Sequence, residues 1–338
     1  LNERGYTLDQ ESFNDSMEKQ KTRSRAAAES KAEDWIVLNK SDSDTFIGYD
    51  HLNSKIKITQ YRKMTTVKDG DFYQLVFDRT PFYPEGGGQV GDKGYLESEN
   101  GDVFYIINTK KENNLIIHYC KNLPNKLNGS FNAVVDVKQR QRASSNHTAT
   151  HLMHQALRVI LGTHVEQRGS MVHSGIFRFD FSHFAKVTID EIKEVEQFVN
   201  SRIQEKIPLE ESRNTSYDSA IKQGAMALFG EKYGDTVRTI RFGQSIELCG
   251  GTHVSNTSEI WHFKIISEGA VASGIRRIEA ITGDAVKKYF EDQTALLENV
   301  NNLLKQTQDP IKAIKTLQSE NIVLKKELAS LNKLKLKV

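Results

Sequence analysis

What this chain lacks narrows its class first. It holds only two cysteines, Cys120 and Cys249, too few for a disulfide framework. Cys120 closes the apolar run Leu115-Ile116-Ile117-His118-Tyr119 and reads as a buried strand residue, so a reducing, cytoplasmic setting is expected. No stretch approaches the roughly 18 apolar residues of a membrane span, and the polar start has no signal-peptide pattern. No membrane partner is expected. A dominant charge is missing too: 46 Lys and Arg against 44 Asp and Glu leave +2. Any affinity for nucleic acid must therefore come from local patches. The first residue is Leu1 rather than Met, which points to a piece of a longer protein. At 338 residues with 38% hydrophobic content, two or three domains with real cores are expected.

What the chain does have is two histidine-bearing stretches about a hundred residues apart. The first, Ser144-Ser145-Asn146-His147-Thr148-Ala149-Thr150-His151-Leu152-Met153-His154, has helical spacing to about Leu161, where Gly162 suits a C′ position. Residues four apart stack on a helix, so His147 and His151 point the same way, opposite Leu152, Ala156 and Ile160. The histidines are expected off the face that packs. The second stretch, Cys249-Gly-Gly-Thr-His253, adds a thiolate and an imidazole, and its glycines permit a tight turn. Three His and one Cys suit zinc. An HxxxH pair alone is weak, because paired helical histidines are often only solvated; joined with CxxxH it predicts one shared zinc per chain. His154 fits either a role orienting a ligand or plain packing. No Glu lies inside HxxxH, so the metalloprotease motif HExxH is missing.

The rest of the chain divides by pattern. Residues 1–34 read as a helical linker, basic through Arg4, Lys19, Lys21, Arg23 and Arg25, and fit a solvated helix or an RNA-facing one equally. Residues 35–138 carry short β-branched and aromatic runs at 34–38, 55–58, 73–77 and 103–107, which predict a small β-barrel. Inside it lies Thr80-Pro-Phe-Tyr-Pro-Glu-Gly-Gly-Gly-Gln89-Val-Gly-Asp92. Gly86, Gly88 and Gly91 formally match GxGxxG, but no helix follows, and Asp92 stands where a phosphate loop needs Lys. This is either a rigid loop that a ligand or strand approaches closely, or a tight barrel corner. Residues 139–284 alternate helices (188–205, opening on Thr188-Ile-Asp-Glu191, and 217–229) with strands (177–181, 237–242, 260–266 and after Gly274), an α+β layer on a mostly antiparallel sheet. Residues 285–338 are helical, with Ile314, Leu317, Asn321, Leu324, Leu328 and Leu331 at heptad spacing. That seam fits an intramolecular hairpin with Leu296, Val300 and Leu303 or self-association through 314–331. The lysines around it fit a solvated face or RNA contact.

Four of these stretches in this order, His147-Thr-Ala-Thr-His151, the Thr80–Asp92 loop, Cys249-Gly-Gly-Thr-His253 and residues 273–283, resemble the alanyl-tRNA synthetase family, specifically its editing region. Gly5-Tyr6-Thr7-Leu8-Asp9 with Phe13, Met17 and Gln20 is similar to the family's segment between tRNA recognition and editing. The family's activating domain, with its ATP site, is absent from these residues, and 290–338 look like the start of its C-terminal domain. The implied fold is α+β: a small β-barrel, then a zinc-containing α+β editing domain, flanked by a helical N-terminal linker and a C-terminal helical or coiled-coil segment.

The resemblance also implies a reaction. A pocket sized for alanine rejects glycine and serine poorly, because one small group is worth only about 1–3 kcal/mol. The family therefore hydrolyses mischarged seryl- and glycyl-tRNA(Ala) in a second site. By similarity His147, His151, Cys249 and His253 bind zinc, Gln167 lines the pocket, Thr80 and Gln89 contact the amino-acid moiety, and Arg276 and Arg277 meet the tRNA 3′ end. Four protein ligands fill a tetrahedral shell, the mark of a structural site, so a catalytic and a structural zinc both stay open. The alternative to a deacylase is a non-catalytic tRNA-binding module with a structural zinc.

Overall fold

Alternation of apolar and polar side chains builds the first half of the chain. Strands β1 (Ser30–Ala32), β2 (Ile36–Val37) and β3 (Thr45–Phe46) lead into β4 (Asn53–Thr66) and β5 (Gly70–Phe77). After the short β6 (Arg79–Thr80) come β7 (Gly94–Ser98), β8 (Val103–Glu112), β9 (Leu115–Cys120) and β10 (Ser130–Val135). Six of them close into a ring in the order β4-β10-β7-β8-β9-β5, with β5 pairing back onto β4. In β10 every second residue (Phe131, Ala133, Val135) is buried, as the period of a strand requires. These join Ile56, Ile58, Leu75, Phe77, Phe82, Leu96, Ile106 and Cys120 in the barrel core. Burial pushes the Cys120 thiol up to about 12, so it behaves as a small apolar residue.

The computed structural model describes residues 12–13, 15–18, 30–39, 45–66, 70–227, 233–304 and 308–335. Residues 12–13 and 15–18 are helical, and the basic positions Arg4, Lys19, Lys21, Arg23 and Arg25 lie outside the described residues. Ser30–Ala32, expected within the helical linker, instead pairs antiparallel with β4. A long β4 offers ladder partners there, and pairing overrides the helix propensity of a weakly biased run. Of the strand expected over 34–38, Ile36 and Val37 form the ladder with β4, both exposed, and Leu38 N–H donates to the Thr59 carbonyl.

The second half wraps a long helix. Helix α1 (Val137–Leu161) is capped by the Asp136 carboxylate, which accepts from the Gln139 N–H, and ends at Gly162 with φ 115°. It is followed by β11 (Gln167–Val172), β12 (Phe177–Ser182), helix α2 (Ile189–Gln204), β13 (Glu210–Ser216), helix α3 (Tyr217–Lys222), β14 (Thr236–Phe242) and β15 (Ser245–Leu248). A 3-10 turn (Thr257–Ile260), β16 (Phe263–Ala272) and β17 (Ile275–Thr282) complete this layer. One sheet runs β11-β12-β17-β16, a smaller one β13-β14-β15. The capping box expected at Thr188 and Glu191 is present, and α2 buries Val195, Val199 and Ile203.

Two expectations are corrected here. Of the helix expected over 217–229, the described residues form the six-residue α3, stopped by Gly224 at φ +86°, and 228–229 lie outside the described residues. The strand expected from 260 begins at Phe263, because Asn256 and Glu259 form a capping box that winds 257–260 into a turn. Residues 1–283 and 284–338 are two compact units. In the second, helices α4 (Asp284–Leu303) and α5 (Pro310–Lys335) carry the heptad seam, and Leu296, Leu303, Leu317, Leu324, Leu328 and Leu331 are all exposed. The packed helical hairpin considered above is not formed by these side chains.

Candidate metal centre

Helix α1 departs from expectation in its burial. Every residue from Ala143 to His154 is buried, including Ser144, Asn146, Thr148 and all three histidines. The histidine face, expected off the side that packs, is covered, and its polar groups are met by polar partners. Ser144 donates to Thr252 Oγ1 (2.8 Å), Thr282 donates to Asn146 Oδ1 (2.7 Å), and Asn146 donates to the His173 carbonyl (2.6 Å). A helix this polar can be buried only because these partners exist.

His147, His151, Cys249 and His253 converge, with one donor atom from each lying within 4.8 Å of the others. Cys249 Sγ is 3.5 Å from His147 Nε2 and 3.3 Å from His253 Nε2. A tetrahedral zinc with Zn–S of about 2.3 Å and Zn–N of about 2.0–2.1 Å needs S···N edges of about 3.5 Å. The donor set and its spacing fit. Burial, reinforced by His151, holds the His147 ring at about 3. Burial and the two neighbouring imidazoles push His253 well down, and burial also lowers His151. The rings are thus neutral, the form that binds a metal.

Further contacts aim these donors. Gln89, expected among residues contacting the amino acid, is fully buried and lies against the donor cluster. Its Oε1 accepts from Thr252 N–H (2.9 Å) and faces His147 Nδ1 at 2.8 Å, while its Nε2 donates to Thr252 Oγ1 (2.9 Å). An oxygen that accepts makes His147 Nδ1 the proton-bearing nitrogen and leaves Nε2 free for the metal. His253 Nδ1 sits 3.0 Å from Thr148 Oγ1. The Cys249 loop is tied down at three successive carbonyls. Arg238 donates to those of Cys249 (2.9 Å) and Gly251 (2.6 Å), and Tyr49 donates to that of Gly250 (2.6 Å). The Arg238 guanidinium lies 3.9 Å over the Tyr49 ring.

The glycine loop brings the barrel to this centre. A Cβ on Gly91 would enter the Thr109 carbonyl, and one on Gly88 would enter Ser170. Close approach to neighbouring strands therefore explains both glycines, and Val90 N–H donates to the Val172 carbonyl of β11 (3.0 Å). Asp92, noted as hostile to phosphate, is buried and ion-paired with Arg140 of α1. Gln167 starts β11, partly buried, and donates to Ser170 Oγ (3.1 Å), beside Gly88.

The remaining expected site residues are engaged elsewhere. Thr80 is buried in the barrel, its Oγ1 2.8 Å from His118 Nε2 and accepting from Phe82 N–H (3.1 Å). Arg276 pairs with Glu268, and Arg277 with Asp180, along the four-stranded sheet. The structure does not bring these three to the ligand cluster. It adds one group that spacing did not reveal: Glu247 of β15, buried, with Oε1 3.1 Å from His154 Nδ1 and Oε2 3.4 Å from His151 Nε2. Burial alone would raise its carboxyl, but the two imidazoles outweigh burial and hold it at about 2. The available signal was a charged residue in the otherwise apolar strand Ile246-Glu-Leu248.

Comparison with known proteins agrees with this architecture. Residues 1–140 match the family model for class II (A) tRNA synthetases, and residues 237–279 match the second additional domain of threonyl and alanyl tRNA synthetases. The chain is 60% identical over its whole length to the alanine–tRNA ligase of Christiangramia forsetii, covering 39% of that protein. It is 54% identical over 99% of its length to the Flavobacterium psychrophilum enzyme, and 48% over 96% to that of Cytophaga hutchinsonii. In both, too, it spans under two fifths of the relative, 39% and 37%. Identity at this level runs along the entire chain and not only through its motifs, and on that ground the chain belongs to the alanine–tRNA ligase family.

Proposed function

We propose that this chain hydrolyses tRNA(Ala) mischarged with serine or glycine, using one zinc held by His147, His151, Cys249 and His253. The carrying observation is the four-donor cluster, with spacing that fits zinc, built from two motifs and buttressed by Gln89. A bound zinc supplies Lewis acidity and a polarised water. The chain's own residues do the rest: Gln89 fixes the His147 ring, Arg238 and Tyr49 hold the Cys249 loop, and Gln167 beside Ser170 faces the amino-acid moiety. Serine recognition by a buried polar group discriminates strongly, since an analogue lacking the hydroxyl leaves that group unpaired. Thr80, bonded to His118, is left out of this role, and Arg276 and Arg277 take the tRNA 3′ end only if their carboxylate partners yield.

The relatives' name carries the wider reading. In the full-length protein this region serves the ligation of alanine to tRNA(Ala) in the cytoplasm, with ATP used by a domain outside these residues. The exposed seam 314–331 supports self-association. A second reading is favoured by one observation: four protein ligands complete a tetrahedral shell, as in structural zinc sites. Hydrolysis of seryl- and alanyl-tRNA(Ala) at fixed salt, by the native chain and Cys249→Ala, separates the two. Fast release of serine by the native chain only is expected. No release of serine by the native chain would remove the deacylase and leave the structural zinc, equal rates for both amino acids would remove the selectivity, and undiminished release by Cys249→Ala would remove the zinc from the reaction.

A further inference from the structure

The four ligands do not account for every buried ionisable group around them. Glu247 lies two residues before Cys249 on β15, a strand whose four residues are all buried. A carboxylate stripped of water in such a strand costs far more than a leucine would, unless its oxygens are used. Both are. One faces His154 Nδ1 at 3.1 Å, the other His151 Nε2 at 3.4 Å.

His154 follows His151 on α1 by one turn and is itself buried, with its ring 5.1 Å from that of Phe179. Among the described residues its Nε2 has no hydrogen-bond partner, so the polar engagement of this ring there is the one with Glu247. The partners divide by ring nitrogen: His147 and His253 are met at Nδ1, with Nε2 toward Cys249 Sγ, and His151 is met at Nε2, which leaves its Nδ1 for the metal. His147 is met by the Gln89 amide, His253 by the Thr148 hydroxyl, and His151 by the Glu247 carboxylate. Each histidine is addressed from a different element: the glycine loop, α1 and β15.

We propose that Glu247, anchored by His154, is the positioning residue for His151 in the metal centre. It couples the strand that delivers Cys249 to the helix that delivers His151, so the two halves of the ligand set are set at a fixed separation. Partners of metal-binding histidines affect metal affinity about 10–100-fold when removed. The inference rests on the metal reading of the site and not on hydrolysis.

The test is metal binding by the full chain, measured by chelator competition with zinc and by the absorption of the cobalt-substituted protein. Glu247→Gln keeps the size of the side chain and removes its charge. We expect it to weaken zinc about 10–100-fold and to alter the cobalt ligand-field bands, while the metal-free variant melts as cooperatively as the metal-free native chain. His154→Gln should weaken zinc in the same direction. The double variant should lose less than the product of the two single losses, because both act through one carboxylate. Native zinc affinity and an unaltered cobalt spectrum in Glu247→Gln would overturn the proposal. So would full zinc affinity combined with lost deacylation, which would make Glu247 a base acting on substrate water. A native chain that binds zinc but leaves seryl-tRNA intact would remove the proposed hydrolysis and leave this result standing.

Discussion

At Gly251 the backbone has no room for a side chain, because an added Cβ would run into the His147 ring. Gly251→Ala should therefore weaken metal binding at least tenfold, read by chelator competition, whereas Gly250→Ala, whose Cβ meets nothing nearer than the Tyr49 hydroxyl at 4.0 Å, should change it little. His118 offers a second test at this scale. Burial holds this ring at about 3, against an ordinary value of about 6.5. The unfolded chain thus takes up the proton first as pH falls. The stability of the neutral ring is complete above about 6.5 and is lost between there and about 3, at up to about 1.4 kcal/mol per pH unit. In the metal-free protein, His118→Gln should flatten the denaturation free energy across that window, and an unchanged slope would refute the assignment. The four residues of the donor cluster were legible in the sequence because HxxxH and CxxxH are local spacings. Glu247 was not, since its partners lie about a hundred positions away. The partners of Thr80 and Arg277 were equally hidden from local spacing: Thr80 meets His118 and Arg277 pairs with Asp180.

Helix α1 teaches a different lesson. Its histidine stripe and its end at Gly162 follow from the sequence, but its start at Val137, seven residues before the expected Ser144, and the burial of Ala143 to His154 on all sides do not. Polar residues are ordinarily read as exposed, and nothing local says that Ser144, Asn146 and Thr148 will find Thr252, Thr282 and His253. The Arg140–Asp92 pair pins this helix to the glycine loop, and Arg140 also donates to the Gly48 (2.6 Å) and Pro81 (2.8 Å) carbonyls. Arg140→Met strands a buried carboxylate and should cost about 3–5 kcal/mol in urea unfolding. Adding Asp92→Asn should recover part of that loss. A single variant within 1 kcal/mol or so of native would mean the pair contributes little. Helix α3 shows the opposite case, where one left-handed glycine ended what composition would have continued.

For the whole molecule, the expected succession of barrel and α+β layer is present, and the two meet at the donor cluster. Residues of the barrel, Tyr49 and Gln89, hold the metal loop directly. Metal at about a thousand times its Kd should add about 4 kcal/mol to the folded state. Chelation should therefore lower the melting temperature of the native chain by several degrees and leave that of Cys249→Ser nearly unmoved. A native melting curve indifferent to chelator would rule out a bound metal under those conditions.

The order of the ligands along the chain carries a consequence for synthesis. The ribosome releases residues 53–135, the whole barrel ring, before it releases His147. His151 then waits for about a hundred residues until Cys249 emerges, roughly 5–20 s at ordinary elongation rates. During that wait α1 has its histidines but neither the thiolate nor the loop that covers them. A nascent chain stalled before residue 249 should hold zinc no better than a peptide with paired histidines. Metal acquisition in this fold is therefore expected as a late event, timed by translation and not by diffusion of the ion.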